Sequence, residues 1–194
     1  MVQVKKVEVR EAILSSAYRL FRSRGYIGTS MNDIGRAAGV AASNIYVYFD
    51  SKLAILYAVY EPWLTSQLFR LERELKHIKQ PKSRLRLILR TLWVDIPAED
   101  SHFANNLMQA ISTATRDEVY SAELLLWCED FISRMIRVSL PPRRAAIADQ
   151  RRLAHILFMA YDGFVMRNYL GAQSESVDEV IEMMIDLIMG KSPT

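Results

Sequence analysis

Nowhere in this 194-residue chain does the polar/apolar pattern alternate with the period of a strand. The helical period of three to four residues recurs from end to end. An all-α fold is therefore expected, cut into helices by glycines, prolines and short polar stretches. The first helix is expected over 7–24, with Ile13, Ala17, Leu20 and Phe21 on one face and Gly25 in the left-handed position after its end. A short helix follows over 31–38, where Ser30 and Asp33 have the spacing of a capping box and Gly39 breaks the chain. A third is expected over 42–48, and a long one over 52–79 with Pro62 as a bend or hinge inside it. Pro81 marks a boundary. Further helices are expected over 83–96, ended by Pro97, then over 101–115, 117–139, 143–170 and 176–189, which makes nine.

The segment from Thr29 to Lys52 reads physically as two short helices around a glycine turn. Ile34, Ala37, Val40, Ile45 and Phe49 are spaced to pack on the first helix, and the small Ala38 before Gly39 permits a steep crossing. This is helix-turn-helix geometry, whose second helix suits the DNA major groove. Its exposed face should carry Ala42, Ser43, Asn44, Tyr46 and Tyr48. Asn pairs with an adenine edge, Ser with either base type and Ala with a thymine methyl. The Tyr hydroxyls and Lys52 suit phosphates, and Lys5, Lys6 and Arg10 form a candidate arm on the adjacent backbone.

With Phe21, Gly25, Thr29, Asp33, Ile34, Ala37, Ala38, Gly39, Val40, Ile45, Tyr46, Tyr48, Phe49, Ser51 and Lys52 in order and spacing, the sequence resembles the TetR family of bacterial transcriptional regulators. Four departures bear on specificity. Gly35 stands for the usual Ala, Ala41 for a capping Ser, Ser43-Asn44 for Gly-Thr, and Leu53-Ala54 for Glu-Ala. The resemblance implies a DNA-binding head over 1–51, to which Thr29 and Ser30 also contribute, and a ligand-binding and dimerisation body over 52–194. It implies a homodimer on a palindromic operator, with recognition helices roughly 34–36 Å apart, that represses until a small effector binds the body. The helix over 52–79 would be the lever between the two.

By the same resemblance the last two helices form a four-helix dimer bundle. Both are apolar on more than one face, and Leu157, Tyr161, Phe164, Val165, Val180, Ile181, Met184 and Ile188 are the candidate interface. Candidate ligand-lining residues are Trp93, Phe103, Asn106, Met108, Trp127, Phe131, Phe158, Tyr161 and Asp162, a set suited to a hydrophobic or amphipathic effector.

Other chemistry is poorly supplied. Glu74 and His77 have one E-x-x-H spacing where a di-iron bundle needs two, and the lone Cys128 rules out an internal disulfide or a cysteine-based metal cluster. Phosphate-loop and nucleophile-elbow motifs are missing, so no enzyme, cofactor or metal is expected. No stretch reaches the ~18 uninterrupted apolar residues of a membrane span, and the first ten residues lack a signal core. The expected location is the cytoplasm. One feature is left over. Residues 1–90 hold 16 Lys/Arg against 7 Asp/Glu, while the rest of the chain holds 9 against 15. Much of the basic excess lies in 61–90, beyond the reading head, which leaves a second reading open: a helical adaptor using a basic face from Arg70 to Arg90 for a protein or membrane partner.

Overall fold

The computed structural model describes residues 2–100, 102–113, 123–147, 151–169, 171 and 176–190, without the side chains of 2–5, 147, 168 and 169. Among these residues every regular element is helical: α1 (Val2–Arg24), α2 (Met31–Ala38), α3 (Ala42–Ile45), α4 (Lys52–Leu75), α5 (Pro81–Arg90), α6 (Ile96–Glu99), α7 (Phe103–Ser112), α8 (Glu123–Ser139), α9 (Arg152–Tyr169) and α10 (Val177–Met189). A π-helical turn (Thr91–Asp95) joins α5 to α6 without a break, so the described residues form nine separate α-helical rods besides one short 3₁₀ helix.

The departures from expectation have local causes. Pro81 opens α5 rather than preceding it, because its fixed φ and missing donor suit the first helical position. Pro97 does not end the rod. The amide of Ile96 reaches back five residues to Thr91, and this wide turn accommodates the proline. The helix expected over 143–170 is not one helix. Pro142–Ile147 is a 3₁₀ helix, and Arg151 takes φ +52, which no α-helix contains, so α9 starts at Arg152. Helix α4 stops at Leu75, where the amides of His77 and Ile78 tighten into three-residue bonds to Glu74 and Leu75. The expected ends at 101, 114–117 and 170 lie outside the described residues.

The chain divides into two compact units, Met1–Leu64 with Asp100–Val119, and Thr65–Glu99 with Tyr120–Thr194. In the first, Ile13, Ala17 and Phe21 on α1 are buried together with Ile34, Ile45, Phe49, Ile55, Leu56 and Tyr60. Trimming any of these large apolar side chains to alanine should cost about 2–5 kcal/mol. Ala37, expected in this core, is exposed; the buried residue of α2 next to Ile34 is Gly35. In the second unit, Leu85, Ile88 and Leu89 of α5, Phe131, Ile132 and Met135 of α8, Leu157 of α9 and Ile181, Ile185 and Ile188 of α10 form the core.

The unexplained charge finds its partner here. On α5, Lys82, Arg86 and Arg90 stand one turn apart. On α10, Asp186, Glu182 and Asp178 do the same in reverse order. The rungs are Lys82–Asp186 at 2.6 Å, a two-pronged Arg86–Glu182 at 2.5 and 2.7 Å, and Arg90–Asp178 at 2.5 Å. The bonded Arg86 holds Glu182 below its ordinary carboxylate value and is itself raised by Glu182. Arg70 lies 3.9 Å from Glu74. Of the eight Lys/Arg from Arg70 to Arg90, the stretch left open for an adaptor surface, four are thus paired within the chain. Because the rungs are partly solvated, each contributes little alone. A double-mutant cycle on Arg86 and Glu182 should return about 1 kcal/mol of coupling, and the swap Arg86→Glu with Glu182→Arg should recover most of what either single reversal loses in urea midpoint.

Candidate nucleic-acid interface

Helix α2 is fixed at both ends by local chemistry. The Ser30 hydroxyl accepts the Asp33 amide at 3.1 Å, and the Asp33 carboxylate accepts the Ser30 amide at 3.1 Å and its hydroxyl at 2.5 Å. At the other end Gly39, at φ +71, sends its amide back to the last carbonyls of the helix. The Ser30 bonds hold the Asp33 carboxyl below its ordinary value of 3.8. A depressed acid stabilises the fold above its unfolded pKa, and that contribution disappears as pH falls through the lowered folded value. Wild type should therefore melt higher than Asp33→Asn at pH 7, with the gap closing below about pH 4.

The crossing of α2 and α3 rests on Gly35. A Cβ there would lie 2.8 Å from the Val40 carbonyl oxygen and 3.2 Å from the Ala42 amide. The sequence pattern gave the close approach to Ala38, which is only half-buried, and marked Gly35 only as a departure from the usual Ala. Ala41 precedes α3 without a side-chain cap, as its methyl dictates. Regular α-helix lasts only to Ile45 and continues as turns, the amides of Tyr48 and Phe49 bonding the Ile45 carbonyl. Ile45 is fully buried, which turns Ser43, Asn44, Tyr46 and Val47 to solvent and leaves Ala42 and Tyr48 half-exposed. Val47, at 71% exposure, was missed because turn geometry, not helix period, sets its direction.

On α1, Lys6 and Arg10 are exposed, and the Arg10 guanidinium sits 5.3 Å over the Phe49 ring; the Lys5 side chain lies outside the described residues. Two expected contact residues turn inward instead. Thr29 is fully buried and donates its hydroxyl to the Gly25 carbonyl at 2.8 Å, so it cannot touch a ligand directly. The Lys52 ammonium donates to the carbonyls of Tyr26 and Thr29, both at 2.7 Å, and lies 4.0 Å from the Tyr26 ring centre. It is a tie across the α1–α2 connection, not a free phosphate ligand. Ser30 is exposed, but its side chain is engaged in the cap.

The candidate ligand-lining residues fall in both units. Phe103 and Asn106 belong to the first unit. There Phe103 packs 4.8 Å from Tyr60, and Asn106 donates to the Phe21 carbonyl at 3.4 Å and bonds the Tyr60 hydroxyl, which burial pushes up to about 12. Met108 is exposed. In the second unit, Trp93 is buried with its indole N–H on the Leu157 carbonyl at 3.0 Å and its ring 5.2 Å from Phe164. Trp127 and Phe131 form an aromatic cluster with Phe69, which sequence reasoning missed. Phe158 and Tyr161 are half-buried. Asp162 is exposed on α9, and partial burial of its carboxyl raises it above its ordinary value. Of the carboxylates sequence reasoning passed over, buried Glu129 is met by His155 at 2.7 Å.

The dimer candidates split as well. Leu157, Val165, Ile181 and Ile188 are buried within their own chain and are not available to a partner, while Tyr161, Phe164, Val180 and Met184 are half-buried. The outward apolar residues are Ile156, Met159 and Met166 on α9, all within one arc with Gly163, and Met183 and Leu187 on α10. A helix apolar on nearly every side gives the sequence no means of separating inward from outward.

Residues 13–59 match the family model described as bacterial regulatory proteins, tetR family. The biofilm-operon negative transcriptional regulator IcaR of Staphylococcus aureus is 34% identical over 47 residues, which are 24% of this chain and 25% of that protein. The chain thus spans about a quarter of the length of that curated relative. Likeness to solved structures runs over nearly the whole chain. A TetR-family transcriptional regulator from Bordetella parapertussis is 25% identical with TM-score 0.54, covering 94% of this chain and 95% of that one. The regulator FadR of Bacillus subtilis, solved in complex with stearoyl-CoA, shares the fold at 18% identity with TM-score 0.59, covering 94% and 99%. The reading head thus matches the tetR family model over residues 13–59, and the all-helical fold is shared over 94% of the chain with a TetR-family regulator.

Proposed function

We propose that the protein is a ligand-responsive transcriptional regulator which binds a palindromic double-stranded operator as a homodimer and represses until a small hydrophobic or amphipathic effector releases it. One observation carries this reading: a polar face of Ser43, Asn44 and Tyr46 stands uncovered on a helix whose crossing angle is fixed by Gly35 and whose preceding helix is capped at both ends. Asn44 reads an adenine edge, Ser43 a neighbouring base, and Ala42 a thymine methyl. Tyr46, Tyr48, Lys6 and Arg10 hold the backbone, with Lys5 as part of the same arm. Residues 1–51 are the reading head and 52–194 the ligand-binding and dimerisation body, with α4 as the lever. A catalytic step is no part of this reading, and its place of action is the bacterial cytoplasm, where the operator is.

The homodimer is supported by the outward apolar residues Ile156, Met159 and Met166 on α9 and Met183 and Leu187 on α10, since exposed apolar faces mark partner surfaces. The effector class is supported by the aromatic interior of the second unit, with Trp93, Trp127, Phe131, Phe158 and Tyr161 the candidate lining, and by the stearoyl-CoA complex of the structurally similar FadR. Repression is supported by the negative regulator IcaR.

Selection from a random duplex pool tests the reading. The protein should enrich one palindromic family, and Asn44→Ala should weaken binding about 10–100-fold and relax preference at one position of each half-site. Enrichment of no sequence would overturn it. Gly35→Ala gives a second handle. It gains up to ~1 kcal/mol of helix propensity, but its Cβ meets the Val40 carbonyl and Ala42 amide and displaces α3, so operator affinity should fall about tenfold and the melting temperature should fall despite the gain.

A further inference from the structure

Helix α7 lies far along the chain from the reading head yet belongs to the same compact unit. It presents Phe103, Asn106 and Gln109 one turn apart, the first to α4 and the other two to the end of α1 and the residues after it. Phe103 packs on Tyr60, Asn106 bonds the Phe21 carbonyl, and the Gln109 Oε1 accepts the Ile27 amide at 3.1 Å, a bond that spans 82 residues of sequence. The fit at Gln109 is close. Gly25 is at φ +71, and a Cβ there would stand 2.9 Å from the Gln109 Oε1.

The segment that Gln109 holds is the connection between α1 and α2. Lys52 holds the carbonyls of Tyr26 and Thr29 on either side of Ile27, and Gln109 holds the Ile27 amide. The next residue after Thr29 is Ser30, the cap of α2. The connection is therefore tied at three points, two of them by Lys52 at the start of α4 and one by Gln109 of α7. Ile27 itself is 61% exposed, so its side chain supplies little anchoring of its own.

We infer that Gln109 is a positioning residue for operator binding: by accepting the Ile27 amide it sets the α1–α2 connection and hence the attitude of the helix-turn-helix. This rests on the operator-binding reading above. An amide bond of this length is lost when α7 shifts by about one residue rise of 1.5 Å. The latch is accordingly sensitive to displacements far smaller than a domain rotation.

The test uses the full-length chain and a duplex selected by the wild-type protein. Gln109→Leu keeps the volume and removes the acceptor. Gln109→Glu keeps an acceptor, and Gln109→Asn shortens the reach by one methylene. The readouts are operator affinity and hydrogen exchange at the Ile27 amide. Gln109→Leu and Gln109→Asn should lose exchange protection at Ile27 and weaken operator binding about fivefold to tenfold, the usual worth of one hydrogen bond. Gln109→Glu should retain both within about twofold of wild type, with melting temperature similar in all folded variants. Protection and affinity at wild-type level in Gln109→Leu or Gln109→Asn would overturn the latch while leaving the regulator reading intact. Loss of affinity in Gln109→Glu equal to that in the other two would also overturn it, since the acceptor would then not be the cause. Failure of the wild-type protein to select any duplex would instead sink the regulator reading.

Discussion

Lys52→Ala should cost more stability than any substitution on the exposed face of α3. The lysine donates to two carbonyls at 2.7 Å and stacks its charge 4.0 Å from the Tyr26 ring. Removing it leaves both acceptors facing a half-buried space. Hydrogen bonds to a charged donor contribute about 1.5–3 kcal/mol each. Partial solvation of the site reduces that, so about 3 kcal/mol and a melting temperature lower by roughly 10 °C are expected. Operator binding should fail with it, because the α1–α2 connection is no longer held. A phosphate-contacting lysine would behave otherwise. Its removal would leave the melting curve unchanged and reduce the salt dependence of binding by about one counterion. Thermal denaturation of Lys52→Ala beside Tyr46→Ala separates the two: Tyr46, 55% exposed, should lower affinity without moving the melting temperature.

The second large effect is expected at Met159. It is 61% exposed and sits at the centre of the outward arc of α9, between Ile156, Gly163 and Met166. In the proposed homodimer this arc meets its copy, and Met159→Glu would bury two unpaired charges across the contact. Stranding a charge in an interface costs several kcal/mol. The dimer dissociation constant should rise by more than about 100-fold, and sedimentation should report a monomer of unchanged helicity. Operator affinity should fall at least as far, because a monomer holds only one half-site. Leu157→Glu is the contrast. Leu157 is wholly buried within its own chain, so this change should unfold the second unit rather than dissociate a folded protein.

Local chemistry was the legible part of this sequence. Helix α2 was readable to the residue, because Ser30, Asp33 and Gly39 settle both of its ends without reference to anything distant. The buried face of α1 followed from the spacing of Ile13, Ala17 and Phe21 alone. What escaped was decided by contacts far apart in sequence or by backbone choices that composition does not encode. Thr29 and Lys52 look like polar contact residues until the carbonyls of Gly25, Tyr26 and Thr29 are seen to need donors. Gly35 looks like a weak helix former until the Val40 carbonyl is seen to occupy the place of its missing side chain. The basic excess of 61–90 could have been traced. Residues 82, 86 and 90 carry positive charge with the period of a helix, and 178, 182 and 186 carry negative charge with the same period. Two complementary stripes of that kind are a pairing signal between helices, which charge counting by segment averages away.

The central claim, that the chain is a dimeric, sequence-selective DNA-binding regulator, is tested most directly by titrating the protein into a fluorescent selected duplex and its scrambled control across a salt series. Saturation at two chains per palindrome is expected, with affinity falling at least tenfold between about 50 and 200 mM salt and the scrambled duplex bound at least about 1,000-fold more weakly. Equal affinity for the two duplexes, or saturation at one chain per palindrome, would contradict the account.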